Sequence, residues 1–346
     1  MHRPTVNDIA REAGVSLATV DRVLNARPGV REKTITAVND AIQKLGYVRD
    51  QAAANLARGR DYRFAILLPD TDSQFVQTLV EALEDAATLA ATSRTRVEFH
   101  RFPDENMHEL SKLMSQLAET DLAGLALMAP ETPLTRDAIR NVKAKGIPVV
   151  AIASNMPNSD IDHYVGIDAY ASGRTAGVLM GRFSSEQKGR ILVIANSMHL
   201  RESIERRRGF DEVIQRNFPQ IEVLQTLETH GSPTTLRHVV AEMLAHTPDV
   251  TGIYVLGSGH RALASALSEF GLLGRVTVIG HELTAHTRHA LELGHMDAVI
   301  THNLGHLARS SLRVLRAKAD RTPIDESQET LRIEIVIREN LPPTSA

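Results

Sequence analysis

Ser16-Leu17-Ala18-Thr19-Val20-Asp21-Arg22-Val23-Leu24-Asn25 is the stretch on which the reading of this 346-residue chain turns. Its spacing predicts a short helix. Ser16 can cap the start, because its hydroxyl accepts a backbone N–H that the first turn leaves unpaired. Val20, Val23 and Leu24 recur at helical spacing and form one apolar stripe. Leu17, Ala18, Asp21 and Arg22 occupy the other face. Upstream, Thr5-Val6-Asn7-Asp8 has the form of a capping box, and Val6, Ile9, Ala10 and Ala13 supply a second stripe. Gly14 permits the tight turn between the two. Two short helices joined by a glycine turn are a helix-turn-helix, whose second helix lies in the major groove of DNA; the same pattern also suits a plain helical hairpin in a core.

Working outward, Arg27-Pro28-Gly29 reads as a turn and Arg31 to Leu45 as a third helix. Ile35, Val38, Ala41, Ile42 and Leu45 share one side of it, and Gly46 is a stop signal. Three helices within the first 48 residues make a small bundle. The segment 49–61 is alanine-rich with basic flanks. Leu56 is its one anchor for a core, and a helix so short is marginal in water by itself, so it reads as a linker that becomes helical against a partner.

Charge supports a divided chain. Residues 1–60 carry 10 Lys and Arg against 6 Asp and Glu, whereas the remainder carries 29 against 36. A small basic head on an acidic body suits a nucleic-acid-binding module attached to something else. The chain has no cysteine, which excludes a disulfide framework and thiolate chemistry. No apolar run approaches the roughly 20 residues of a membrane span, and the N-terminus lacks the apolar core of a signal peptide. A cytoplasmic protein is expected.

At Phe64 the pattern changes. Phe64-Ala65-Ile66-Leu67-Leu68-Pro69 is the continuous apolar run of a buried parallel strand, and an amphipathic helix follows from about Phe75 to Ala91. Further strands are expected at 96–100, 125–128, 149–152, 163–166, 190–194, 221–226, 252–256, 276–280 and 297–301, with helical patterns between most of them. Repeated βα units imply parallel sheets covered by helices. Ten strands are too many for one small sheet, so two α/β lobes are expected. A ligand then binds in the crevice outside the carboxyl ends of the strands.

The sequence resembles the lactose/galactose-repressor (LacI/GalR) family of bacterial transcription regulators. The resemblance is carried by Thr5-Val6-Asn7-Asp8-Ile9-Ala10, Ala13-Gly14-Val15-Ser16, Thr19-Val20, Arg22-Val23-Leu24-Asn25, Lys33-Thr34 and Leu45-Gly46-Tyr47. It implies an all-α helix-turn-helix head at 1–48, a hinge at 49–61, and an α/β body at 62–346 like the periplasmic sugar-binding proteins. Within that body it implies an N-lobe of about 62–163 and 297–325 and a C-lobe of about 164–296 and 326–346. The partners implied are palindromic operator DNA, a small-molecule effector, and a second copy in a homodimer or tetramer. The polar, proline-rich end after Arg338 carries no leucine heptads and favours the dimer.

By the same resemblance, Leu17, Ala18 and Arg22 stand where base edges are read. An arginine there can pair bidentately with guanine, worth about 1–3 kcal/mol of discrimination; Leu17 and Ala18 offer only apolar contact. Thr5, Ser16, Thr19 and Asn25 correspond to phosphate contacts, which set register. Leu56 corresponds to a minor-groove wedge. Two positions depart from the pattern: Asp21 replaces a serine near the DNA backbone, and Arg31 replaces a small helix cap.

The resemblance also implies ligand contacts. Asp72, Gln74 and Phe75 follow the first strand of the body, and Ser154 and Asn155 follow the fourth. Asp168, Arg206, Ser258, His260, Glu282 and His302 complete the set. Polar, bidentate groups of this kind suit a sugar, polyol or sugar acid, as effector rather than cofactor. Six histidines lie between 281 and 306, and His281-Glu282-Leu283-Thr284-Ala285-His286 is near the H-E-x-x-H zinc motif. Its second histidine falls at i+5 instead of i+4, off the shared helix face, so no metal is expected. With no nucleophile elbow and no phosphate loop, no enzyme is expected either. The leading expectation is a repressor controlled by an effector bound between the lobes; a sugar-binding protein of the same body fold without a switch is the alternative.

Overall fold

The computed structural model describes residues 4–24, 28–45, 47, 61–104, 106–184, 189–247 and 249–343. The chain divides into two compact units between Arg60 and Asp61.

Among its described residues the first unit holds three helices: α1 (Val6–Glu12), α2 (Leu17–Leu24) and α3 (Glu32–Leu45). The caps follow from the sequence. The backbone N–H and hydroxyl of Thr5 both donate to the Asp8 carboxylate, at 2.8 and 2.7 Å. Ser16 Oγ accepts the Thr19 backbone N–H at 3.2 Å. Gly14 supplies the left-handed turn with φ +65°, a conformation that other residues adopt at a cost. Ile9, Ala10, Val20, Val38 and Ala41 form the buried centre, and Val23, Leu24, Ile42 and Leu45 pack against it. Ile35, expected on the buried side of the third helix, is 38% exposed. That helix begins one residue after Arg31, whose backbone carbonyl accepts from Thr34 and Ile35.

The second unit contains two sheets. In chain order its elements are β1 (Tyr62–Asp70), α4 (Gln74–Ala91), β2 (Thr95–Pro103), α5 (Met107–Ala118), β3 (Gly124–Leu127), α6 (Pro133–Ala144), β4 (Val149–Ile152), β5 (His163–Val165) and α7 (Ala169–Phe183). There follow β6 (Arg190–Ala195), α8 (Arg201–Asn217), β7 (Glu222–Glu228), α9 (Pro233–His246), β8 (Val250–Val255), α10 (His260–Glu269), β9 (Thr277–His281), α11 (Ala285–Glu292), β10 (Ala298–Thr301), α12 (Leu304–Asp320), α13 (Glu326–Glu329) and β11 (Glu334–Val336). The first sheet runs β2-β1-β3-β4-β5 and the second β11-β10-β9-β8-β6-β7. Every pairing is parallel except β10 with β11. Each sheet has helices and a core cluster on both faces, which is why the strands read as continuous apolar runs.

All ten expected strands form. The short antiparallel β11, only three residues long, gives too little pattern to be read from sequence. The lobe boundaries differ from expectation at three points, one of them at Leu331, which is buried in the N-lobe core although 326–346 was expected in the C-lobe. β5 pairs with β4, so the N-lobe extends to Val165. β10 pairs with β9 in the second sheet, whereas α12 packs on the first, with Leu307, Leu312 and Leu315 in its core. The N-lobe's second piece therefore begins at α12 and not at 297. A βα unit is ordinarily continuous, but here the strand is claimed by one sheet and its helix by the other.

Two features place the chemistry. The residues that follow β4 and β9, Ala153 and Glu282, both take positive φ, +60° and +67°. Each donates its N–H to the neighbouring strand, Ala153 to Val165 and Glu282 to Ile300, both at 3.0 Å. The two lobes thus turn the same corner at the carboxyl end of the sheet. In the C-lobe, α7 and α8 approach closely through glycines. A Cβ on Gly173 would overlap the Arg206 carbonyl, and one on Gly177 would lie 3.0 Å from the Phe210 carbonyl. Among the described residues no helix is long and apolar enough to cross a membrane.

Candidate functional site

In the head, Leu17, Ala18, Asp21 and Arg22 are exposed together on α2, with Leu17 at 51%. Ser16 is exposed and Thr19 half-buried, their hydroxyls 2.9 Å apart. Thr5 is half-buried and engaged with Asp8. Asn25 and Leu56, with the rest of the 49–60 linker, lie outside the described residues.

In the body, the expected ligand residues follow the carboxyl ends of the strands, in loops or first helical turns, except Arg206, which lies within α8, and contacts cross there from lobe to lobe. The Phe75 ring meets His302 edge-on, with centroids 6.2 Å apart. Ser154, buried, donates to Glu202 at 3.5 Å. Gln74 accepts the His286 backbone N–H at 3.4 Å. Arg206 is the centre of the C-lobe side. It is 8% exposed and reaches across the sheet end, donating to the Leu256 carbonyl at 2.7 Å and to Glu282 at 2.9 Å. The other Glu282 oxygen lies 4.0 Å from His302 Nδ1. Phe75, His302, Glu282 and Arg206 therefore form one continuous set.

Three imidazoles surround this pair. His260 opens α10, with its ring against Gly280, where a Cβ would overlap it. His281 ends β9 with Nε2 2.8 Å from the Tyr254 hydroxyl, and Tyr254 in turn stacks on Phe210 at 4.5 Å. Burial lowers all three pKa values, that of His260 to about 4. For His302 the Glu282 carboxylate opposes the shift without cancelling it. Burial pushes the Tyr164 and Tyr254 phenols up. At neutral pH the site therefore holds neutral imidazoles and phenols around one ion pair, a surface for hydrogen bonding.

The remaining expected residues have other engagements. Asp168 is exposed and caps α7 through the Ala171 N–H at 3.0 Å. Ser258 exchanges hydrogen bonds with Asn196, at 2.9 and 3.1 Å. Asp72 is exposed and Asn155 half-buried, next to Ser154 in sequence. Glu202, Tyr164 and Tyr254 were not anticipated. Tyr254 stands in an apolar strand, and nothing in its local sequence tells that its hydroxyl meets His281. The other histidines of 281–306 scatter. His286 is exposed, His289 lies 3.6 Å from Glu292, and His306 bonds the Gln328 carbonyl at 2.7 Å.

Known proteins match this two-part architecture. The periplasmic binding protein domain family matches residues 64–322, and the family of bacterial regulatory proteins of the lacI type matches residues 5–50. Catabolite control protein A of Priestia megaterium is 29% identical over 164 residues, 46% of this chain and 48% of that protein. The HTH-type transcriptional regulator RegA of Clostridium saccharobutylicum is 45% identical over 85 residues, 25% of this chain and 26% of that protein. These alignments thus span about half and about a quarter of the relatives' lengths. Catabolite control protein A of Staphylococcus aureus is 25% identical over 252 residues, 71% of each chain. Among solved structures, the glucose-galactose binding protein GanP of Geobacillus stearothermophilus superposes with a TM-score of 0.73 at 18% identity, over 82% of this chain and 100% of that one. A solute-binding protein of Burkholderia graminis in complex with D-arabinose gives 0.71 at 20% identity, over 81% and 96%. The matched families are those of bacterial regulatory proteins and periplasmic binding protein domains. The chain belongs, by its body, to the periplasmic binding protein domain family, and it carries at residues 5–50 a head that matches the lacI family of bacterial regulatory proteins.

Proposed function

We propose that this protein is a cytoplasmic repressor that binds a palindromic operator as a homodimer and is controlled by a polyhydroxylated small molecule held between its lobes. The observation that carries the reading is the set of side chains that bridges the lobes. Phe75 and Ser154 of the N-lobe meet His302 and Glu202 at the C-lobe side, beside the Arg206–Glu282 pair. A ligand seated there touches both lobes and shifts their closure by its differential affinity for the two states. Similarity of the body to a glucose-galactose binding protein and to a solute-binding protein in complex with D-arabinose supports a sugar-like effector.

The head supplies the other half. Arg22, Leu17 and Ala18 read base edges from the exposed face of α2, and Ser16 and Thr19 contact phosphate. Two heads on successive half-sites place the linkers, with Leu56, near the operator centre. The test is a fluorescence-anisotropy titration of the full chain against duplexes selected from a random library, with and without D-glucose, D-galactose or D-arabinose. Selected duplexes are expected to be palindromic, to bind with affinity that falls steeply as salt rises, and to change affinity with a sugar. Binding that is indifferent to both sequence and salt overturns the proposal.

A further inference from the structure

Four buried nitrogens around Glu282 have no hydrogen-bond partner among the described residues: Arg206 Nε, both ring nitrogens of His302, and Nδ1 of His281. A buried polar atom without a partner costs stability, so such a concentration marks a place prepared for groups from outside the chain. The kind of group is restricted. Burial keeps the three imidazoles neutral at ordinary pH, so each ring offers one N–H donor and one bare acceptor. The His281 Nε2 is already engaged with Tyr254, and the His260 ring with the backbone of His281 and Gly257. A hydroxyl group gives and takes hydrogen bonds and satisfies either nitrogen. A carboxylate or phosphate oxygen only accepts, and it leaves the acceptor nitrogens facing a negative charge.

The charges point the same way. Arg206 is committed to Glu282 and to the Leu256 carbonyl. Glu202 reaches Ser154 and, with Glu282 and Asp168, acts on Tyr164; Glu334 acts on His302, and His286 on His260. The neighbouring cations are tied elsewhere, Arg201 to Glu205 and Arg207 to Asp211, both at 2.7 Å. An anionic ligand would have to share the Arg206 charge with the Glu282 carboxylate beside it, and would stay a buried charge only partly compensated.

We propose that the Arg206–Glu282 pair and the three histidines, His260, His281 and His302, act as a charge filter: the cleft takes a hydroxyl-rich ligand that carries no carboxylate or phosphate and turns its acidic counterparts away. This rests on the effector-site reading above and deepens it, because fold similarity alone is silent on ligand charge. The test is calorimetric titration of the full chain at neutral pH with matched compounds: D-glucose, D-galactose and D-arabinose against D-gluconate, D-galacturonate, D-arabinonate and the terminal phosphate ester of glucose. At least one neutral sugar is expected to bind, roughly 100-fold or more tighter than its acid. An acid or ester that binds as tightly as its neutral parent overturns the filter and leaves the effector site standing. Failure of every compound to bind overturns both. In Glu282→Gln, which frees the Arg206 charge, the preference for neutral over acid is expected to narrow by roughly tenfold. An unchanged ratio in a folded variant that still binds also counts against the filter.

Discussion

Glu282 is held from three directions. Its backbone takes φ +67°, its carbonyl accepts from Thr287 Oγ1 at 2.8 Å, and its carboxylate meets Arg206 at 2.9 Å. Removing one partner of a largely buried pair leaves the other charge uncompensated. Arg206→Ala is therefore expected to cost about 3 kcal/mol of stability and to abolish ligand binding, as thermal melting and calorimetry will show. Arg206→Lys is expected to rescue little, since one ammonium cannot reproduce the fork that spans Leu256 and Glu282. The histidines add a pH dependence whose sign follows from burial. His260 has its pKa lowered to about 4 from 6.5, so in acid the unfolded chain takes up the proton first. Its contribution to stability is complete above pH 6.5, declines as pH falls toward 4, and is lost below that. His281 and His302 shift in the same direction. The melting temperature is expected to fall more steeply through this window in the native chain than in His260→Gln; identical profiles would refute the assignment.

Among the elements, the α7–α8 pair has the tightest tolerance. Gly173 lies against the backbone of Arg206 itself, so helix packing and ligand geometry are set at one point. Gly173→Ala must force the helices apart, at about 1–3 kcal/mol by the usual cost of overpacking. It is also expected to weaken sugar binding, because the Arg206 guanidinium moves with its helix. Melting and calorimetry on one preparation test both effects. Gly14 is the opposite case. No atom lies within 4 Å of a Cβ placed there, and only the φ of +65° is at issue. Gly14→Ala is expected to cost about 1–2 kcal/mol in the head, and to leave the affinity of the body for ligand unchanged.

At the scale of the molecule, the chain divides between Arg60 and Asp61, and each unit has a buried core of its own. Residues 61–346 expressed alone are expected to fold and to bind the same sugar with the same dissociation constant, while losing duplex binding entirely. A body that fails to fold without its head would contradict this. Within the body the chain passes between the lobes after β5, after β10 and before β11. Three strands of connection near the candidate site suit a hinge that absorbs backbone rotation, and ligand-dependent closure is testable by small-angle scattering with and without sugar.

Local pattern was enough for most of the architecture. Ser16, Asp8 and Gly14 act within a few residues of themselves, so the caps and the turn of the head are legible without tertiary knowledge. Buried parallel strands such as Phe64–Leu68 announce themselves by continuous apolarity, and resemblance to a family singles out Arg206, Glu282 and His302, which the fold brings together. Other features lay beyond any window of sequence. The capture of β10 by one sheet and α12 by the other depends on which partner offers the better burial. The Tyr254–His281 bond joins residues 27 apart, and the Ser154–Glu202 contact joins two lobes. Which polar groups keep a free hydrogen-bonding capacity, and hence what ligand the cleft can accept, is settled only when the folded chain has paired all the others.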